Sequence, residues 1–122
     1  MLQIETILKN IDNSGIIKAK IIHIYKSGNK KNKGTINDVV LIASQKNNPR
    51  KNIKKKIHFG IIAQLKKKKQ RLNGHYINFN KSCILSLFDK KTFKATRIKE
   101  PIDAHLRYSI FTNILLVTKK LI

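Results

Sequence analysis

The sequence contains few of the residues that build chemical sites. Its 122 residues include one cysteine, two prolines, five glycines, six acidic residues and no tryptophan. The single cysteine, Cys83, cannot form an internal disulfide, and we expect it to be a small core residue of a strand. No segment approaches the ~18 uninterrupted apolar residues of a membrane-spanning helix. We therefore expect no membrane partner.

The acidic and histidine residues are too dispersed for a catalytic or metal site. No two of the six acids have a spacing typical of general acid–base catalysis. None of the four histidines has another histidine three or four residues away, and one cysteine cannot complete a zinc site. A glycine-rich phosphate-binding loop is also absent. We predict no enzyme activity, no cofactor and no metal.

Positive charge dominates the composition. Lysine and arginine supply 27 residues against six acids, which gives a net charge of +21. Hydrophobic residues make up 41% of the chain, enough for a core, and the length suits a single domain over residues 1–122. Charge of this density opposes a compact state unless a polyanion neutralises it. Nucleic acid is therefore the favoured partner over an anionic membrane surface, because the basic clusters lie between strands rather than on an amphipathic helix.

Alternating hydrophobicity predicts a β-meander between residues 57 and 88. Every second residue from Ile57 to Leu65 is apolar, which predicts a half-buried strand with its core face on this parity. Asn73-Gly74 is typical of a tight reversal. A return strand at 76–79 and a third strand at 83–88 complete the predicted meander, with a basic tip at 66–71.

Further strands and a helical C-terminus complete the predicted fold. Ile4, Thr6 and Leu8 predict a short strand, residues 16–25 a long strand with a bulge near Lys20-Ile21, and residues 39–43 a central strand. Pro101 suits the first position of a short helix that ends near Arg107. Residues 111–121 fit either a helix or a strand. The fold class is thus mainly β: a small five-stranded antiparallel barrel with one or two short helices from about residue 100.

Three basic loops join these strands, at residues 26–34, 47–56 and 66–71. Because loops at one end of a closed barrel converge, we expect the three to form one anion-binding patch. Their candidate RNA-binding residues are Lys30, Lys31, Lys33, Arg50, Lys51, Lys54, Lys55, Lys56, Lys66, Lys67, Lys68, Lys69 and Arg71.

Several segments resemble, in order, the universal family of large-subunit ribosomal protein number fourteen. Gly60-Ile61-Ile62, the basic loop, Asn73-Gly74, Phe79 and Ile84-Leu85 match the signature of that family. The turn Asp12-Asn13-Ser14-Gly15 matches a motif near the family's N-terminus. Ala95-Thr96-Arg97-Ile98, with Pro101 and Leu106-Arg107, matches its C-terminal motif. Ala63, Ser82 and Leu85 depart from the usual residues.

This resemblance implies a structural constituent of the large ribosomal subunit that binds large-subunit rRNA. It also implies an rRNA bridge to the small subunit and contacts with large-subunit proteins three and nineteen. Asn13 and Ser14 match a turn that lies near RNA in the family, and Arg97 and Arg107 suit bidentate phosphate contacts. Thr96 and Arg97 match the docking surface of a ribosomal silencing factor, although Lys99-Glu100 replaces Phe-Gly and Asn113 stands where Lys is common.

Two questions stay open at this stage. The alternative function is a free-standing oligonucleotide-binding barrel, which would need exposed aromatics; only Tyr25 and Tyr76 have suitable parity. Lysine supplies 23 of the 27 basic residues, and Lys, Ile and Asn share A/T-rich codons. That bias, with no presequence before the first strand, favours an organelle-encoded mitochondrial protein over a plastid or reduced bacterial one.

Overall fold

A computed structural model shows a five-stranded β-barrel that is closed by pairing its first strand with its last. The structure describes residues 2–25, 32–90, 92–108 and 112–122. The strands are β1 (Ile7–Asn10), β2 (Ile16–Tyr25), β3 (Val39–Asn47), β4 (Ile57–Gln64), β5 (Lys69–Gln70), β6 (Tyr76–Ile77) and β7 (Cys83–Leu87). Neighbouring barrel strands pair in the order β1-β2-β3-β4-β7, and every pair is antiparallel except β1–β7. The predicted small barrel is confirmed.

The predicted three-stranded meander is wrong. β4 pairs directly with β7, and the intervening chain leaves the barrel as a two-stranded hairpin of β5 and β6. Four consecutive lysines after β4 favour this exit, since their ammonium groups need solvent. The turn at Asn73-Gly74 does form, at the hairpin tip, where Gly74 has a φ of 84°.

β2 has the predicted bounds. The predicted bulge also occurs, but it lies slightly farther along the chain. The pairing register with β3 shifts between Ile21 and His23, one residue beyond the expected bulge, and again twice between Ile16 and Ala19. These shifts bring Ile16, Ala19, Ile21 and Ile24 to buried positions despite their uneven spacing.

The two faces of β4 are exchanged relative to the prediction. Paired residues share a face, so Gly60 lies beside Val40 and Ser86, all of them buried. That parity lines the barrel interior. Gly60 suits this narrow space, because a Cβ there would lie 3.1 Å from the Leu85 carbonyl oxygen. The predicted apolar parity, which includes Ile57 and Phe59, forms the outer face.

The C-terminal segment covers part of that outer face. Ile98, Ile102, Leu106 and Ile114 are fully buried in the same core as the barrel. The Asp103 N–H donates to the Ala63 carbonyl at 3.3 Å. This cover explains why the outer face of β4 is buried near Ala63 but open near Ile57, which is 55% exposed.

Both terminal regions differ in detail from the prediction. The first strand begins at Ile7 rather than Ile4. The predicted helix at Pro101 begins only at Ala104, as a 3-10 helix over Ala104–Tyr108, because Asp103 caps it by accepting the His105 N–H at 2.8 Å. The ambiguous C-terminal stretch forms helix α1 (Thr112–Val117). In the described part of the chain, no helix has the length and apolar character needed to cross a membrane.

Candidate nucleic-acid interface

Strand direction separates the basic loops into two groups at opposite ends of the barrel. β2, β3 and β4 run alternately, so the loop before β3 and the loop after β4 lie at one end, and residues 48–56 lie at the other. The expected convergence of all three loops is therefore wrong. We call the end with residues 11–15 and 48–56 the Asn13 end, and the end with β5 and β6 the hairpin end.

At the Asn13 end, Asn13 connects the N-terminal turn to the C-terminal segment. Its side-chain oxygen accepts the backbone N–H groups of Thr96 at 3.1 Å and Arg97 at 3.2 Å. Its amide nitrogen donates to the Thr96 hydroxyl at 3.0 Å. The Asn13 N–H donates to the Arg97 carbonyl at 3.2 Å. These bonds fix the backbone that carries the exposed Arg97 side chain.

The basic loop of residues 48–56 packs against the same turn. The Lys51 ammonium group donates to the Asn13 carbonyl. The Asn48 N–H donates to the Gly15 carbonyl at 2.7 Å. Gly15 has a φ of 103°, and a Cβ on it would lie 2.9 Å from the Lys51 Cβ. Glycine is thus required for both the turn and the close approach of the loop.

A buried hydrogen-bond network joins the turn of residues 12–15 to the neighbouring strands. The Asp12 carboxylate accepts the Ser86 N–H at 2.6 Å and the Ser14 N–H at 2.9 Å. The Asn10 amide donates to the Asp12 carboxylate at 2.8 Å and to the Ser86 hydroxyl at 2.8 Å. Asn10, Asp12 and Ser86 are buried. The turn is therefore anchored to β1 and β7 rather than held only by surface contacts.

At the hairpin end, two arginines lie beside one cavity of about 830 Å³ between the β5–β6 hairpin and the 3-10 helix. Arg71 and Arg107 both line it, together with the buried Asp103. The Arg71 guanidinium lies 3.8 Å from the Asp103 carboxylate. One carboxylate against two guanidinium groups leaves this cavity with a positive balance.

The acidic side chains are each engaged within the chain. Glu5 pairs with Lys20 and Glu100 with Lys9, and the hydrogen bond to Glu100 raises the pKa of Lys9. Asp12, Asp38, Asp89 and Asp103 accept backbone N–H groups. Six acidic groups can offset at most six of the 27 basic residues, which leaves a net charge of +21 for an external anion to neutralise.

Comparison with known proteins identifies the family. The family described as ribosomal protein L14p/L23e matches residues 1–122. The chain belongs to this family. The large ribosomal subunit protein uL14m of Tetrahymena pyriformis is 30% identical over 112 residues, which cover 91% of this chain and 93% of that protein. Family members are structural components of the large ribosomal subunit rather than enzymes, and this chain has that structural role.

The predicted site residues of this ribosomal protein fall into the two groups. Those at the Asn13 end are Asn13, Ser14, Arg50, Lys51, Lys54, Lys55, Lys56, Thr96 and Arg97. Those at the hairpin end are Lys33, Lys66, Lys67, Lys68, Lys69, Arg71 and Arg107. Lys30 and Lys31 lie outside the described residues.

A further group of residues beside the Asn13 end is not predicted from the sequence. Phe59, Phe88 and Lys94 line a shallow groove with Lys54 and Lys55. The parity of Phe59 predicts a core position, and Lys94 lies outside the three basic loops. No local signal identifies these residues, since strand pairing brings them together. Among the described residues, no cluster of metal-ligating side chains occurs.

Proposed function

We propose that this protein binds large-subunit rRNA through the Asn13 end and, separately, through the hairpin end. The observation that carries the proposal is the fixed arrangement of Asn13, Lys51 and Arg97. These residues are far apart in the sequence, and hydrogen bonds hold them together in the structure. A guanidinium group on a backbone held in this way is suited to a bidentate phosphate contact. Lysines around it add charge that neutralises further phosphates.

The finer placement rests on family membership. We propose that the protein contributes to the intersubunit face, with an rRNA bridge to the small subunit and with large-subunit proteins three and nineteen as neighbours. Thr96 and Arg97 are the proposed contacts for a silencing factor. The exposed positions of Thr96 and Arg97 support this assignment.

The proposed location is the mitochondrial ribosome, with the gene in the organelle. The relative uL14m carries the suffix of a mitochondrial protein, and the excess of lysine, isoleucine and asparagine fits an A/T-rich organelle genome. Residues 1–122 are proposed to form a single domain.

Sedimentation of a native lysate tests the location in the large subunit. We expect the chain to migrate with the large subunit at moderate and at high salt, because an integral component is held by neighbouring proteins and the folded rRNA as well as by phosphate contacts that salt weakens. Release at either salt concentration would contradict this proposal.

Binding to transcribed large-subunit rRNA tests the residues. Arg97→Ala should weaken binding more than Lys119→Ala, an equal loss of charge at an exposed position outside both groups. Each lost phosphate contact should also reduce the log–log salt slope by roughly 0.7–0.9. Equal effects of the two variants would mean that only net charge matters.

A further inference from the structure

The open part of the barrel's outer face forms a groove beside the Asn13 end. Its volume is about 450 Å³, within the roughly 300–1,000 Å³ of small-ligand sites. Leu41, Ile57, Phe59 and Phe88 contribute apolar surface to it. Phe88 is 68% exposed and Ile57 is 55% exposed. Large apolar side chains with this exposure, clustered in a concave site, are typical of a binding surface.

The charged residues that line the groove are all of one sign, positive. Lys54, Lys55 and Lys94 line it, and its described lining contains no acidic residue. The Lys94 ammonium nitrogen lies 5.8 Å from the centre of the Phe88 ring. An occupant that matches this site must therefore combine negative charge with an apolar, flat part.

Phe88 is the more exposed of the two phenylalanines that line the groove, and the Lys94 ammonium group lies farther from its ring than the Lys90 ammonium group lies from the Tyr25 ring. Tyr25 lies near Phe59, with ring centres 5.8 Å apart, but the Lys90 ammonium group covers the Tyr25 ring at 4.1 Å from its centre. The parity of Tyr25 predicts an available aromatic side chain, but in the structure its ring is already occupied by the internal cation–π contact with Lys90.

His58 adds a hydrogen-bonding group to the groove. Its Nε2 lies 2.7 Å from the Lys55 carbonyl oxygen. Burial lowers the pKa of His58; this hydrogen bond opposes the shift, and the Lys94 and Lys55 charges add to it. The neutral ring must place its proton on Nε2 to donate to that carbonyl, which leaves Nδ1 as an acceptor.

We propose that this groove binds one unpaired nucleotide of RNA, with its base stacked on Phe88 and a phosphate neutralised by Lys94 and the lysines of residues 54–55. Unpaired bases in RNA are commonly recognised by stacking on aromatic side chains, with basic groups along the backbone. The absence of acids from the described lining favours a polyanion over a neutral protein segment. This assignment rests on the proposed RNA-binding function and adds a specific subsite to it.

Equilibrium binding of two single strands tests the subsite. One probe is oligoadenylate of about 12 nucleotides, a length within the range of known single-strand sites; the other has the same backbone and charge but lacks bases. The full-length protein should bind the base-bearing strand about 5- to 150-fold more tightly, the range that corresponds to stacking of one base. Phe88→Ala should remove this preference and leave the salt slope unchanged. Leu116→Ala, which removes an apolar side chain that is 84% exposed on α1, outside both basic groups, should retain it.

The outcomes distinguish this inference from the proposed function. Equal binding of both strands by the unaltered protein, or a preference that survives Phe88→Ala, overturns the nucleotide subsite and leaves RNA binding intact. If the protein binds neither of the two strands and does not bind rRNA, the proposed function itself is overturned.

Ultraviolet crosslinking of native large subunits identifies the class of occupant. We expect a nucleotide adduct on the peptide of residues 82–90, which contains Phe88. Attachment of that peptide to an acidic protein segment instead would overturn the assignment to RNA.

Discussion

The side chain of Asn13 accepts the backbone N–H of Arg97 at 3.2 Å, although the two residues are 84 positions apart in the sequence. This bond and its companion to Thr96 hold together two turns that carry candidate RNA ligands. Asn13 therefore has a positioning role: it holds the backbone of Thr96 and Arg97 in place, in addition to any contact that it makes with RNA itself.

Replacing Asn13 tests this positioning role. Asn13→Ala removes three side-chain hydrogen bonds to Thr96 and Arg97. We expect the free energy of unfolding to fall by about 1–2 kcal/mol, because these hydrogen bonds are lost. The loss stays this small because water can reach the partly exposed groups and hydrogen-bond to them. Affinity for rRNA should also fall, although no charge is removed.

Urea denaturation and rRNA binding measure the two effects of Asn13→Ala. The matched control is Asn80→Ala, at an exposed bend, which should change neither quantity. If the Asn13 variant is less stable but binds rRNA with unaltered affinity, Asn13 does not position RNA-binding residues.

Two glycines with left-handed backbones form a second test. Gly15 and Gly74 have φ values of 103° and 84°, so alanine at either position should cost about 1–2 kcal/mol in backbone strain. Only Gly15 is also crowded, since its Cβ would lie 2.9 Å from Lys51 and 3.1 Å from Ile53. We expect Gly15→Ala to lose about 1–3 kcal/mol more than Gly74→Ala. Thermal unfolding of both variants measures this difference, and equal losses would show that the 48–56 loop gives way easily.

Much of the fold was accessible from local pattern. The bounds of β2 and the Asn73-Gly74 turn follow from residue types, because β-branched side chains favour strands and glycine permits a positive φ. The face of β4 was not accessible in this way. Alternation marks the parity of Ile57 and Phe59 as the apolar face, and the inner face is recognisable only once closure of the barrel brings Gly60 beside Val40 and Ser86.

The candidate site was predictable in chemistry but not in arrangement. A net charge of +21 indicates an anionic partner whatever the fold. Successive antiparallel strands place their loops at alternate ends, so the predicted topology already conflicted with a single patch. The contact of Lys51 with Asn13, and the groove formed by Phe59, Phe88 and Lys94, depend on long-range pairing for which the sequence carries no local signal.

The thiol of Cys83 provides a test of core packing. Cys83 is fully buried in β7, and this burial raises its pKa to about 11. At pH 8 the thiolate fraction should then be lower than that of an ordinary thiol by about a hundredfold, because the ordinary pKa is 9.0. Alkylation of the folded protein should therefore proceed at least that much more slowly than alkylation in denaturant. Comparable rates in the two conditions would show that β7 opens readily.

The titration of His58 tests the electrostatics of the groove. The folded pKa of His58 is lowered from 6.5, mainly by burial and to a smaller extent by the Lys94 and Lys55 charges, while the hydrogen bond to the Lys55 carbonyl opposes the shift. The unfolded chain therefore binds more protons at this position as the pH falls below 6.5. His58 should reduce the stability of the fold in that range and have no such effect above it.

Nuclear magnetic resonance titration of the His58 ring measures this pKa directly. Lys94→Gln should raise it only part of the way toward its ordinary value, because burial is the larger cause. Lys99→Gln removes an equal charge at an exposed position that is not among the causes and should leave the pKa unchanged. A bound RNA phosphate should have the same sign of effect as Lys94→Gln, since it offsets the lysine charges. An His58 pKa that does not respond to either Lys94→Gln or RNA would mean that Lys94 is turned away from the groove, and the proposed phosphate contact would then be wrong.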